Sequence, residues 1–264
     1  MKKYKVKEKI KKSLYVVIMA ALLVFMSEAE DIVDNIFDTF SNRPEQSITI
    51  QGYKKESDTE LNYLNKINYS NVKSLNNSRM VPIEINMEDM SEVQASVSQN
   101  KIYEYYGNLD KLNRVTIAKA YLDKSLMPKD KRGDIMNVKP TGWRNKKYKN
   151  VSGGWLYNRS HLIGFQLSGE NDNWKNLMTG TRQMNTDMIP IENKVSNYIK
   201  NNPNNKVYYR VIPKFSGNNL VADGIEIFAV SNLDKNIDIL FKVYIPNTQE
   251  GIKINYSDGS SRKI

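Results

Sequence analysis

Lys206-Val207-Tyr208-Tyr209-Arg210-Val211-Ile212 and Gly224-Ile225-Glu226-Ile227-Phe228-Ala229-Val230 decide the fold class. Both runs alternate at period two and are rich in β-branched and aromatic residues, the pattern of half-buried strands. Phe215 to Leu220, with Ser216-Gly217-Asn218-Asn219 at its centre, supplies a turn, so an antiparallel pair is expected. Upstream, about Met188 to Asn201 reads as a helix with Ile191, Val195, Tyr198 and Ile199 as its apolar stripe. Pro190 falls in its first turn, where a missing N–H is tolerated, and Asn201-Asn202-Pro203 ends it. Further out, Val81 to Asn86 and Arg114 to Leu122 read as strands, and Leu240 to Ile245 and Gly251 to Tyr256 as two short ones. Strands on both sides of a central helix predict an α+β domain over residues 81–264, built on a mostly antiparallel sheet.

Composition narrows the chemistry. The 264 residues contain no cysteine and one histidine, and carry a formal charge of +10. Thiolate metal sites, cysteine nucleophiles, disulfides and every site needing two imidazoles are excluded. A divalent metal here would sit mainly on oxygen ligands, which favours magnesium, calcium or manganese. The basic balance suits an anionic partner, although half of it lies in one segment. Residues 1–29 hold seven lysines against Glu8 and Glu28, a net +5.

That segment reads as an export signal. Its lysine-rich start leads into an uncharged apolar run, Leu14 to Met26, and a small-x-small cleavage site at Ser27-Glu28-Ala29. Thirteen helical residues span about 20 Å against a hydrocarbon core of roughly 30 Å, which favours cleavage over an uncleaved membrane anchor. The expected location is therefore outside the cell, secreted or tethered. Residues 30–40 have the spacing of a short amphipathic helix. From there to residue 80 the chain is rich in Asn, Ser, Asp, Glu and Lys and reads as a polar tether or pro-segment.

The chemistry-bearing stretch runs from Trp155 to Glu192. His161 follows Arg159 by two residues: the imidazole is a base suited to neutral pH and the guanidinium suits a phosphate oxygen. Taken singly, His161 reads as well as a structural histidine. Asn185 offers an amide oxygen to a hard cation, or a helix cap. Glu192, seven residues on, shares its helix face if the helix reaches back that far, or is a solvated charge.

Asn158-Arg159-Ser160-His161-Leu162-Ile163-Gly164 resembles the catalytic motif of the DNA/RNA non-specific endonucleases, the ββα-metal nucleases, whose broader pattern is Asp-Arg-Gly-His. The secreted DNA-entry nucleases and streptodornases are the most similar branch. Other marks stand in the same order, among them Leu112 to Val115, Pro140-Thr141-Gly142-Trp143, Gly154-Trp155-Leu156-Tyr157, Lys175 to Arg182 and Met184-Asn185. The similarity runs from about residue 81 to 260. It implies a metal-dependent endonuclease without sequence preference, acting on DNA and on RNA as well, with one Mg2+ ion for which Mn2+ can substitute. His161 matches the general base, Asn185 the direct metal ligand, Glu192 the acid that reaches the metal through water, and Arg159 the arginine at the scissile phosphate. Arg182, between the motif segments, is our own candidate for substrate binding, and Asn176 a supporting or structural residue.

Two positions depart from the broader pattern. Asn158 stands for aspartate and Ser160 for glycine, which puts geometry and rate in question more than reaction type. Lys146, Lys147, Lys149 and Lys175 are candidates for backbone contacts, or solvated charges. The competing reading is an exported nucleic-acid-binding protein on the same fold without catalysis. Such a protein has no need of His161, Asn185 and Glu192 together. A nuclease toxin with an immunity partner is a third reading, but no delivery module is visible.

Overall fold

The computed structural model describes residues 57–231 and 237–264, so the expected signal 1–29, the amphipathic segment 30–40 and the tether as far as residue 56 lie outside it. In chain order the elements are α1 (Ser57–Ser74), β1 (Val81–Pro82), α2 (Met87–Gln99), β2 (Tyr103–Tyr106), β3 (Ala118–Leu122), β4 (Tyr157–His161) and α3 (Phe165–Ser168). They continue as β5 (Leu177–Thr181), α4 (Arg182–Asn201), β6 (Val207–Lys214), β7 (Gly224–Ser231), β8 (Leu240–Pro246), β9 (Ile252–Ile254) and β10 (Ser261–Lys263). The expected α+β class holds. No helix among the described residues is long and apolar enough to cross a membrane.

The main sheet is antiparallel with strand order β1-β8-β7-β6-β3-β2. β6 and β7 pair over their full length, Val207 opposite Ser231 and Lys214 opposite Gly224, so the expected hairpin is its centre. Strand alternation sends Tyr209, Val211, Ile225, Ile227, Phe241 and Val243 to one face, where they form one buried cluster with Met184, Met188, Ile191 and Val195 of α4. Area removed from water by this cluster is the main force seating α4 on the sheet.

The opposite face carries charge. Arg210, Glu226 and Lys242 meet Asp89 and Glu92 of α2: Arg210 reaches Asp89 at 2.6 Å and Glu226 at 3.1 Å, and Lys242 reaches Asp89 at 2.7 Å. Burial raises the Asp89 carboxyl, but hydrogen bonds from Lys242, the Asn86 backbone and Arg210 outweigh it and hold it below the usual range. Asn86 caps α2 and Asp89 completes the capping box, which joins the start of the helix to the same network.

Two expectations need correction. α4 begins at Arg182, not near Met188, because Thr181 caps it: its hydroxyl accepts from the Met184 N–H at 3.0 Å. Pro190 therefore lies inside the helix, and Asn185 sits in its first turn. The boundary at residue 81 also falls inside the packed unit, since α1 lies against β8 with Leu64, Asn68 and Val72 buried. Its asparagines hold backbone at the sheet edge: Asn68 donates to the Ile83 carbonyl and accepts from the Lys242 N–H. Asn65 does both for Ile85, and Asn71 donates to the Leu240 carbonyl. Beyond α1, Asn77 and Arg79 bind Asp187 on α4.

Candidate active site

β4 and β5 form a separate antiparallel ribbon, His161 opposite Leu177, Arg159 opposite Thr179 and Tyr157 opposite Thr181. β5 runs directly into α4, so strand, strand and helix make one ββα unit. Arg159 and His161 share one face of the ribbon, and Asn158 and Ser160 point to the other. On that second face the Ser160 hydroxyl donates to Asn185 Oδ1 at 2.9 Å. Gly180 makes the room: a Cβ there would come within 2.2 Å of Ser160 Oγ and 2.6 Å of the Met184 methyl.

His161 is 6% exposed. Its Nε2 lies 2.7 Å from the Asn171 carbonyl, which can only accept, so Nε2 carries the proton and Nδ1 the lone pair. The turn beyond it is fixed by Asn176, fully buried, whose amide accepts from the Ile163 N–H and donates to the Ile163 carbonyl. Arg132 places a guanidinium nitrogen 3.3 Å from His161 Nδ1. Burial pulls the imidazole down to about 4; the Asn171 carbonyl works against this and the Arg132 charge adds to it. The ring is thus neutral at pH 7.

Asn185 and Glu192 stand seven residues apart on α4, nearly two turns, and so share a face. Glu192 is half-buried, with its carboxyl against Gly164: a Cβ on Gly164 would lie 2.6 Å from Glu192 Cδ. Burial pushes this carboxyl up to about 7, against the Gln166 hydrogen bond and the Arg132 charge, which lower it. The Arg132 field thus reaches both His161 and Glu192, and Ser160 ties Asn185 to the strand that carries His161.

Arg159 lies differently from expectation. Its guanidinium donates to the carbonyls of Val138 and Met136 and stacks over Trp143 at 4.3 Å, so two of its nitrogens are committed to holding the 136–138 loop. The arginine beside His161 is Arg132 instead. Arg182 is the first residue of α4; its guanidinium lies beside Gly153, and its Nε is buried without a hydrogen-bond partner. Asn158 Nδ2 is a second such donor. Of the lysines, Lys147 lies over Trp155, Lys146 over Tyr148, and Lys175 donates to Asn108.

Sequence reasoning missed Arg132 and Asn171. Arg132 lies in Lys129-Asp130-Lys131-Arg132, which is indistinguishable from a solvated charge run, and Asn171 acts through its main chain, which no side-chain pattern betrays. No group of three or more His, Cys, Asp or Glu side chains placed to hold a metal occurs among the described residues. The donors present are an amide oxygen and one desolvated carboxyl. Such a set fits a hard cation that keeps most of its waters and takes few protein ligands.

The model of the DNA/RNA non-specific endonuclease family matches residues 95–232, more than half of the chain. A deoxyribonuclease of Streptococcus dysgalactiae subsp. equisimilis is 35% identical over 124 residues, 45% of this chain and 36% of that protein, so the match spans about a third of the relative's length. Crystal structures of NucA from Streptococcus agalactiae, metal-free and magnesium-bound, superpose with TM-scores of 0.55 and 0.53 at 26% identity, over 62% of this chain and 79% of theirs. Sda1 nuclease with bound zinc gives 0.51 at 28% identity, over 61% of this chain and 80% of its own. With its ββα unit, the neutral histidine at the end of β4 and the asparagine in the first turn of α4, the chain belongs to the DNA/RNA non-specific endonuclease family.

Proposed function

We propose that the protein is an exported, divalent-metal-dependent endonuclease that hydrolyses phosphodiester bonds of DNA, and of RNA as well, without sequence preference. The observation that carries the reading is the state of His161: neutral at pH 7, with Nε2–H locked on the Asn171 carbonyl and the Nδ1 lone pair beside a guanidinium. Once the Arg132 guanidinium turns from Nδ1 to the phosphate, the freed Nδ1 lone pair takes a proton from the attacking water as its oxygen bonds to phosphorus, and the P–O3′ bond breaks. Arg132 offsets negative charge growing on the phosphoryl oxygens. Arg182, whose guanidinium lies beside Gly153, is a second candidate contact to the strand. Nothing in this arrangement calls for a ribose 2′-hydroxyl.

Asn185 Oδ1 is the direct protein ligand of the metal in this reading, and Glu192 holds it through water. Mg2+ is the ion its oxygen donors favour, with Mn2+ as a substitute, and NucA from S. agalactiae has been crystallised with magnesium. When bound, the ion supplies Lewis-acid stabilisation of the departing oxygen.

Supercoiled plasmid incubated with the full chain and Mg2+ is expected to be nicked and then degraded to a smear, with EDTA abolishing the reaction. Plasmid that stays intact with Mg2+ but is retarded on a gel would leave a binding protein and end the hydrolase reading.

A further inference from the structure

A cavity of about 380 Å³ opens beside the ribbon, within the size range of small-ligand subsites. Leu177 and Val115, both buried, form its floor, and Trp174, Lys139 and Asn113 stand at its exposed rim. Its position follows from the register. Leu177 is directly opposite His161, on the face of the ribbon that also carries Arg159. The wall at Lys139 to Thr141 is held to that face at two points: Arg159 donates to the Val138 carbonyl, and the Thr179 hydroxyl donates to the Thr141 carbonyl at 2.8 Å.

The far rim is equally fixed. Asp110 accepts from the backbone N–H groups of Leu112 and Arg114 and from the Arg114 guanidinium, and Asn113 takes a left-handed conformation at φ 61° within that turn. Arg114 in turn stacks over Phe215 and donates to the carbonyls of Gly217 and Asn219. The space is therefore preformed. It combines an apolar floor, a tryptophan that is 54% exposed, one amide and one cation. A tryptophan face accepts any base by stacking, an amide reads a base edge, and a lysine meets a phosphate.

We propose that this cavity receives an unpaired base of the strand being cut, one nucleotide removed from the scissile phosphate. The assignment rests on the hydrolase reading above and names its preferred substrate as single-stranded or locally opened nucleic acid, since a base held in a duplex cannot turn onto Trp174.

The test compares the full-length wild type with Trp174→Ala and Trp174→Phe on a labelled single-stranded oligonucleotide and on the same oligomer with one abasic residue, read bond by bond. Trp174→Ala is expected to raise KM about 10-fold with kcat within about twofold, as the loss of one stacking partner does. Trp174→Phe restores KM. In the wild type the bond flanking the abasic residue loses a similar factor, and Trp174→Ala loses nothing more there. An unchanged KM, or an equal loss at every bond including that one, overturns the subsite. In EDTA the unmodified oligonucleotide should quench a fluorescence component that Trp174→Phe lacks. Identical quenching in the two proteins rejects the subsite whether or not the wild type cleaves, and quenching without cleavage in Mg2+ faults the hydrolase reading alone.

Discussion

Ser160 shows how much one atom can carry at this site. Where the broader family has glycine, its hydroxyl donates to Asn185 Oδ1, orienting the amide while leaving the oxygen a second lone pair for a cation. Removing such a supporting bond typically costs 10–100-fold in metal affinity. Ser160→Ala is thus expected to shift the Mg2+ concentration for half-maximal cleavage, and the Mn2+ affinity read by calorimetry, upward by about 10-fold. Unchanged affinity would show that the bond does nothing for the cation.

His161 and Glu192 also set opposed pH dependences of stability. The histidine falls from 6.5 to about 4 on folding, so the unfolded chain binds more protons in that window and the contribution is lost as pH drops from 6.5 towards 4. Glu192 rises from 4.5 to about 7, so its protonated form favours the fold and stability declines as pH climbs through 4.5 to 7. Each effect amounts to about 3 kcal/mol at most. Without metal these two largely offset each other, and Glu104, raised to about 6 by burial, leaves Tm declining as pH climbs from 4.5 to 6.5. Excess Mg2+, by favouring the ionised carboxylate, should make Tm rise with pH across the same window. Equal slopes with and without the ion would contradict this placement of Glu192.

At the scale of elements, what could be read from the sequence was what apolar periodicity records. β6, β7 and the C-terminal half of α4 stand where alternation and a 3.6-residue stripe put them. The start of α4 was not legible because Pro190 marks a helix start in the sequence, while the Thr181 cap shows only in the structure. In the structure, burial of Met184 and Met188 against the sheet carries the helix past that proline. The β4–β5 ribbon was legible only through the resemblance, which implies a ββα-metal core, because Asn158, Arg159, Ser160 and His161 alternate in function, not in hydrophobicity. α1 was hidden by its asparagines, which resemble a tether until they meet backbone. Asn68→Ala leaves the Ile83 carbonyl and the Lys242 N–H unpaired beneath α1, at about 1–3 kcal/mol each. A denaturant midpoint lower by a corresponding amount, with activity per folded molecule unchanged, is the expected result; a midpoint within error of wild type would deny α1 its place in the fold.

Across the whole molecule the same amide chemistry recurs. Asn145 both accepts from and donates to the backbone of Tyr157, Asn176 does so for Ile163, and Asn247 bridges Thr179, Ala222 and Thr181. Part of the asparagine richness that obscures candidate ligands in the sequence is thus a set of side-chain clamps holding the ββα unit and the loops around it. The proposed site draws on three separate stretches. Arg132 comes from a long loop, His161 and Ser160 from the ribbon, Asn185 and Glu192 from α4. The motif resemblance points to the last two stretches and leaves the loop silent. The two faces of the main sheet divide the labour: one seats α4 through apolar contact, and the other binds α2 through buried ion pairs. The most direct test is single-turnover cleavage of plasmid at pH 7 in saturating Mg2+ by wild type and His161→Ala, with DNA affinity measured in parallel. A rate at least about 100-fold lower in the variant at unchanged affinity is predicted, whereas a rate within about threefold of wild type would remove His161 as the base.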